Sequence, residues 1–82
     1  MNPAEITKLI DAGFDSAVVQ VMSGDNTHFE AVVVASEFEG QRPIKRHQLV
    51  YSTLGALVGN EIHALSLRTF TPEEWRQQTA ES

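Results

Sequence analysis

The 82-residue chain contains no cysteine, which excludes a disulfide framework and any thiolate ligand of its own. A metal held here must use His, Asp or Glu, or borrow ligands from a partner. No apolar run reaches the ~18 residues of a transmembrane helix. The start, Met1-Asn2-Pro3-Ala4-Glu5, lacks the basic and apolar stretches of a signal peptide. A cytoplasmic location without membrane association is therefore expected. Repeats, linkers and low-complexity segments are absent too. Positive charge is scarce: six Lys and Arg stand against eleven Asp and Glu, for a net charge of −5. The overall field thus does not draw in polyphosphate. No serine sits in a nucleophile-like motif, and so short a chain rarely encloses a substrate cleft, so no enzyme is expected.

Length sets the rest of the frame. Residues 1–82 allow one domain, burying roughly 60% of the surface of the unfolded chain. Hydrophobic residues at 41% and charged residues at 21% are ordinary for a globular domain.

Asn2 followed by Pro3 predicts a helix start. Ile6, Leu9 and Ile10 fall on one face, and Gly13 ends the helix. Residues 15–23 read as a strand in which Ala17, Val19 and Val21 alternate with Val18, Gln20 and Met22. Turn chemistry around Gly24-Asp25 leads into a second strand, 28–36, whose run Ala31-Val32-Val33-Val34-Ala35 predicts burial on both faces. The two strands should pair as an antiparallel hairpin.

A polar loop from Glu37 to Pro43 precedes a helix over about 44–57. Ile44, His47, Val50, Tyr51, Leu54 and Val58 make its apolar stripe, Lys45, Gln48 and Ser52 face away, and Gly59-Asn60 stops it. Residues 62–70 read as a third strand, with Leu65 and Leu67 on one face and Ser66 and Arg68 on the other. Thr71-Pro72-Glu73-Glu74 is a capping-box start for a last helix anchored by Trp75.

The order α-β-β-α-β-α gives an α+β, two-layer domain with a three-stranded mixed sheet. The helical connection from the second strand to the third is what a parallel crossover needs. If those strands are neighbours, their starting ends share one sheet edge, and His28 and His63 stand there together. His63 has the parity of Leu65 and Leu67 and should lean toward the apolar face; His28, with the parity of Glu30, should point away from Phe29.

Imidazoles suit iron, zinc or copper. Two are too few for a structural zinc site, but two histidines hold one iron of a Rieske [2Fe–2S] centre. The other iron would need thiolates from elsewhere. As an acid–base alternative, Asp25 near His28 could orient a base, but no set of pocket residues stands beside it. A separate feature is the basic run Arg42, Lys45, Arg46 with His47 beside it; it is a candidate nucleic-acid contact, or a solvated helix start with His47 packed near the sheet.

Five segments in this order resemble the BolA-like proteins: Gly24-Asp25-x-x-His28-Phe29, Phe38-x-Gly40, Arg46-His47-x-x-Val50-Tyr51, Ile62-His63-Ala64-Leu65 and Thr71-Pro72-x-x-Trp75. The resemblance spans roughly residues 5 to 76 and looks most like the small members of the IbaG (YrbA) type. It implies a fold similar to the type II KH domain.

It also implies a non-enzymatic partner of monothiol glutaredoxins with a Cys-Gly-Phe-Ser site. The two proteins share a [2Fe–2S] cluster in iron–sulfur trafficking or iron and redox sensing. The glutaredoxin cysteine and a bound glutathione supply thiolates, and the histidines mapping onto His63 and His28 supply the remaining ligands. Family links to stress response and transcription regulation imply an alternative: weak DNA binding through Arg42, Lys45, Arg46 and His47. Alone, a monomer or weak homodimer is expected.

Overall fold

The elements begin where their capping residues stand. Asn2 accepts from the Glu5 amide through its side chain while the Glu5 carboxylate accepts from the Asn2 amide. This reciprocal cap starts helix α1, Pro3–Ala12. The helix ends at Gly13, whose N–H bonds the Ile10 carbonyl. Ile6 and Ile10 are fully buried, whereas Leu9 sits at the exposed margin of the face.

Strand β1, Ala17–Met22, follows the expected alternation, with Ala17, Val19 and Val21 inward. Strand β2, His28–Ala35, pairs with it in antiparallel register, Val19 opposite Val33. Strand β3, Ala64–Phe70, pairs with β2 in parallel, Ala31 opposite Leu67. The sheet order β1-β2-β3 puts β2 in the centre. Its Val33, Val34 and Ala35 are all buried, as the continuous apolar run requires.

Helix α2, Pro43–Leu54, and helix α3, Pro72–Ala80, complete a three-helix α+β fold. Ile6 and Ile10 of α1 and Val50 and Leu54 of α2 join Phe29, Ala31 and Val33 in one core. The structure, a computed structural model, describes residues 1–80; residues 81 and 82 of the expected domain lie outside the described residues.

Three expectations need correction. The segment after β2 is more than a polar loop: Ser36–Phe38 forms a 3₁₀ turn that buries Phe38 completely, edge-on to Phe14 at 5.5 Å. Helix α2 ends sooner than expected, at Leu54, because Gly55 takes φ 58° and ψ −133°, a backbone state open to glycine; a 3₁₀ turn, Gly55–Leu57, follows. The α2 stripe is also narrower: Ile44 is 70% exposed and Tyr51 lies at the surface, so Val50 and Leu54 carry the contact. Ile44 lies in the first turn of the helix.

The last helix is tied back firmly. The Thr71 amide donates to Glu74 Oε1 and the Glu74 amide donates to Thr71 Oγ1. Trp75 packs on Phe70 with ring centroids 5.2 Å apart.

Candidate metal centre

The β1–β2 turn is built to present one imidazole. Ser23 Oγ donates to the His28 carbonyl at 2.6 Å and accepts from the Asn26 amide. Asn26 takes φ 60°, a left-handed state that Asn tolerates better than most residues. Asp25 Oδ1 accepts from the amides of Thr27 and His28 at 3.0 and 2.9 Å. Its Oδ2 meets His28 Nδ1 at 2.8 Å. The His28 amide, the Thr27 amide and then the His28 ring hold the Asp25 carboxyl well below the usual carboxylate range. An ionised carboxylate only accepts, so His28 Nδ1 is the donor in this contact and Nε2 is the ring nitrogen left to meet a ligand.

His63 arrives from the other side. Its backbone amide donates to the Thr27 carbonyl at 3.0 Å, and the Ala64 amide donates to the same oxygen at 3.2 Å. That oxygen fixes the start of β3 beside the turn. The two imidazole rings meet at a centroid separation of 5.2 Å and an interplanar angle of 79°. The His63 ring takes no side-chain hydrogen bond from the described residues.

The neighbourhood expected from parallel β2 and β3 is therefore formed, with His28 opposite Ala64 in the register. The expected lean of His63 toward the apolar face is not: His63 is exposed and Ile62 takes the buried position. The cause is local. Ile62 bridges Val58 across a tight turn, and regular strand geometry starts only at Ala64, so the parity of β3 does not reach His63.

The donor set fits one metal centre with an incomplete shell. Two imidazoles on a single tetrahedral ion, each N about 2.0–2.1 Å from the metal, place ring centroids roughly 5 Å apart. The Asp25–His28 contact is the carboxylate–imidazole arrangement that orients metal-ligating histidines. Among the described residues no group of three His, Asp or Glu side chains gathers, so the shell needs ligands from outside the chain. Beside His28 lies an open depression of about 380 Å³ whose lining includes Met22, Ser23, Glu30, Ala64 and Ser66. Period-two alternation of β2 and β3 already assigns Glu30 and Ser66 to this face. The role of the Thr27 carbonyl had no sequence signal, since any residue supplies that atom.

The basic run stands at the other end of β2. β2 itself, eight residues from His28 to Ala35, is roughly 23 Å long at about 3.3 Å per residue. Arg42 and Lys45 are exposed and His47 is half-buried. Arg46 is occupied: its Nη1 and Nη2 reach Glu74 at 2.7 and 3.3 Å and its Nε donates to the Gln41 carbonyl. The Arg46 side chain is only 12% exposed and lies over the Phe38 ring.

The family model described as BolA-like protein matches residues 5–74. The chain belongs to the BolA-like family. It is 41% identical over 78 residues to the DNA-binding transcriptional regulator BolA of Vibrio cholerae, covering 95% of this chain and 71% of that one. Among solved structures, a BolA homologue from Coxiella burnetii superposes with a TM-score of 0.82 at 43% identity, covering 93% of this chain and 97% of the other. The BolA domain of SufE1 from Arabidopsis thaliana gives a TM-score of 0.77 at 29% identity, over 88% and 93%. Among the described residues of this BolA-like protein, no helix is long and apolar enough to cross a membrane.

Proposed function

We propose that this BolA-like protein is a non-enzymatic, cytoplasmic partner of a monothiol glutaredoxin, with His63 and His28 as its ligands to a shared [2Fe–2S] cluster. The observation that carries this reading is the His28–His63 pair, 5.2 Å between centroids, with His28 Nδ1 already occupied by Asp25. Family resemblance supplies the partner: a glutaredoxin cysteine and glutathione bring the thiolates that a cysteine-free chain lacks. When bound, such a cluster supplies one-electron redox capacity and a transferable iron–sulfur unit.

The chain's own residues do the positioning. Asp25 fixes the His28 tautomer, Ser23 closes the turn, and the Thr27 carbonyl sets His63 beside it. Neutral nitrogen donors in place of two thiolates raise the potential of a cluster relative to an all-thiolate shell. Because both rings are exposed, a partner reaches them without opening the core.

The test is an anaerobic titration of [2Fe–2S] monothiol glutaredoxin and glutathione with this protein, followed by visible absorbance and circular dichroism. A new saturable spectrum at one-to-one stoichiometry, lost or shifted in His63→Ala, supports the reading. An unchanged spectrum with no complex on a sizing column refutes it.

A second reading is favoured by the V. cholerae relative, which bears the name DNA-binding transcriptional regulator. Here DNA contact rests on Arg42 and Lys45, with His47 at the margin, since Arg46 is engaged by Glu74. Such binding is weak and falls steeply with salt. Its residues stand at the start of α2 and the imidazoles at the starts of β2 and β3, so Arg42→Ala with Lys45→Ala removes DNA binding and leaves the cluster spectrum intact.

A further inference from the structure

We infer that, in the absence of a thiolate partner, the His28–His63 pair takes a single Zn(II) ion between two copies of this chain. This deepens the reading of the same site and rests on its two imidazoles being metal ligands.

The argument starts from what each copy offers. His28 presents Nε2, because its Nδ1 is engaged by Asp25 Oδ2 at 2.8 Å. The ring of His63 stands 5.2 Å away, centroid to centroid. That spacing suits two corners of one tetrahedron. The chain fills no third corner, since no group of three His, Asp or Glu side chains gathers among the described residues. Both rings are exposed at an edge of the sheet.

A second copy related by a two-fold axis through the ion supplies an identical pair, which is how an isologous interface closes. Four neutral imidazoles make a nitrogen-only shell, and imidazole is a good ligand for zinc. Zinc has no geometric demand that this tetrahedral arrangement fails to meet.

Charge settles the conditions under which the dimer forms. Each chain carries −5, so the copies repel at long range, and the ion's double positive charge offsets only part of that. Added salt screens the repulsion between copies more than it weakens bonds at the ion. The zinc dimer is therefore expected to tighten from low to moderate ionic strength, opposite to the salt response of DNA binding. It also occupies both imidazoles, so zinc and the glutaredoxin compete for the same rings.

The experiment uses the purified 82-residue chain, without glutaredoxin, glutathione or iron. Zn(II) is titrated in while mass is followed by analytical ultracentrifugation and metal content is measured. The expected result is one zinc per two chains, a monomer-to-dimer shift reversed by a chelator, and Co(II) substitution giving the d–d absorbance of a tetrahedral site. His28→Ala and His63→Ala each abolish the shift, and Asp25→Asn weakens zinc binding about 10–100-fold. Zinc bound at one per chain without a change in mass overturns the proposal. So does no zinc binding, or a zinc dimer that persists in the double His→Ala variant. Failure here with a shared cluster still seen in the glutaredoxin titration removes only the zinc dimer. A zinc dimer without cluster sharing removes only the glutaredoxin role.

Discussion

Glu74 grips Arg46 with both carboxylate oxygens, at 2.7 and 3.3 Å, while its Oε1 also accepts from the Thr71 amide. One side chain thus caps α3 and ties it to α2. We predict that Arg46→Ala destabilises the fold by about 1–2 kcal/mol, a charged hydrogen bond at a mostly covered guanidinium being worth more than an open surface pair. Arg46→Lys recovers only part, because an ammonium cannot make the two-pronged contact. In urea unfolding, Arg46→Ala and Glu74→Gln together cost less than the sum of the single changes. Strict additivity would count against the coupling.

Gly13, which caps the end of α1, lies against Thr53 of α2. A Cβ there would fall inside contact distance of the Thr53 methyl, whose side chain is held by a 2.6 Å bond from Oγ1 to the Val50 carbonyl. Gly13→Ala is expected to lose about 1–3 kcal/mol through overpacking. Thr53→Ser removes the methyl and keeps the hydroxyl, so it should restore most of that loss in the double variant. Equal stability of Gly13→Ala and wild type in denaturant would refute the close approach.

Asp25→Asn separates orientation from ligation. The amide can still accept from the Thr27 and His28 amides, so the turn should survive with its amide resonances little shifted. Without an ionised Oδ2, His28 is no longer held as the Nδ1–H tautomer. The shared-cluster spectrum is expected to weaken or shift while circular dichroism in the far ultraviolet stays unchanged. A variant with wild-type cluster stability would reduce Asp25 to a turn former.

Acid should loosen the chain in a defined direction. Arg46 first and the Thr71 amide next hold Glu74 below the ordinary glutamate range, and the Asp15 amide does the same for Glu37. Asp25 is lowered further, by the His28 and Thr27 amides. Folded values below the unfolded ones mean that the unfolded chain binds more protons as pH falls. This stability is complete above the ordinary carboxylate values of about 3.9 and 4.3 and is lost as pH drops through the folded values. All three groups are exposed or partly so, and salt should shrink the effect. Thermal midpoints measured from pH 7 to 3 should fall in the acid range, and less steeply in Glu74→Gln. Parallel curves would exclude Glu74 as a contributor.

What the sequence disclosed was local chemistry with a fixed period. The capping residues Asn2 and Thr71 and the alternation of β1 stand as read, because each depends on neighbours within a few positions. The helical crossover gave β2 and β3 one direction but left open whether they are neighbours; the structure pairs them, and the histidine neighbourhood depends on that pairing. Parity failed at His63 because the Val58–Ile62 bridge interrupts the pattern just before the strand. The burial of Phe38 was hidden by the polar residues around it. Arg46 read as part of a basic run because its partner lies 28 positions away, a distance no local pattern encodes.

The Thr27 carbonyl, shared by the amides of His63 and Ala64, brings together two imidazoles from distant parts of the chain. In the unfolded chain the rings are separated by a long flexible loop. A ligand that needs both rings therefore binds the native state alone, and folding and ligation are thermodynamically linked. At a hundredfold excess over its Kd such a ligand adds about 2.7 kcal/mol to the unfolding free energy, a large addition for so small a domain. Under the proposed ligation, iron or zinc supply would set how long the folded chain survives proteolysis, and its abundance would follow metal status.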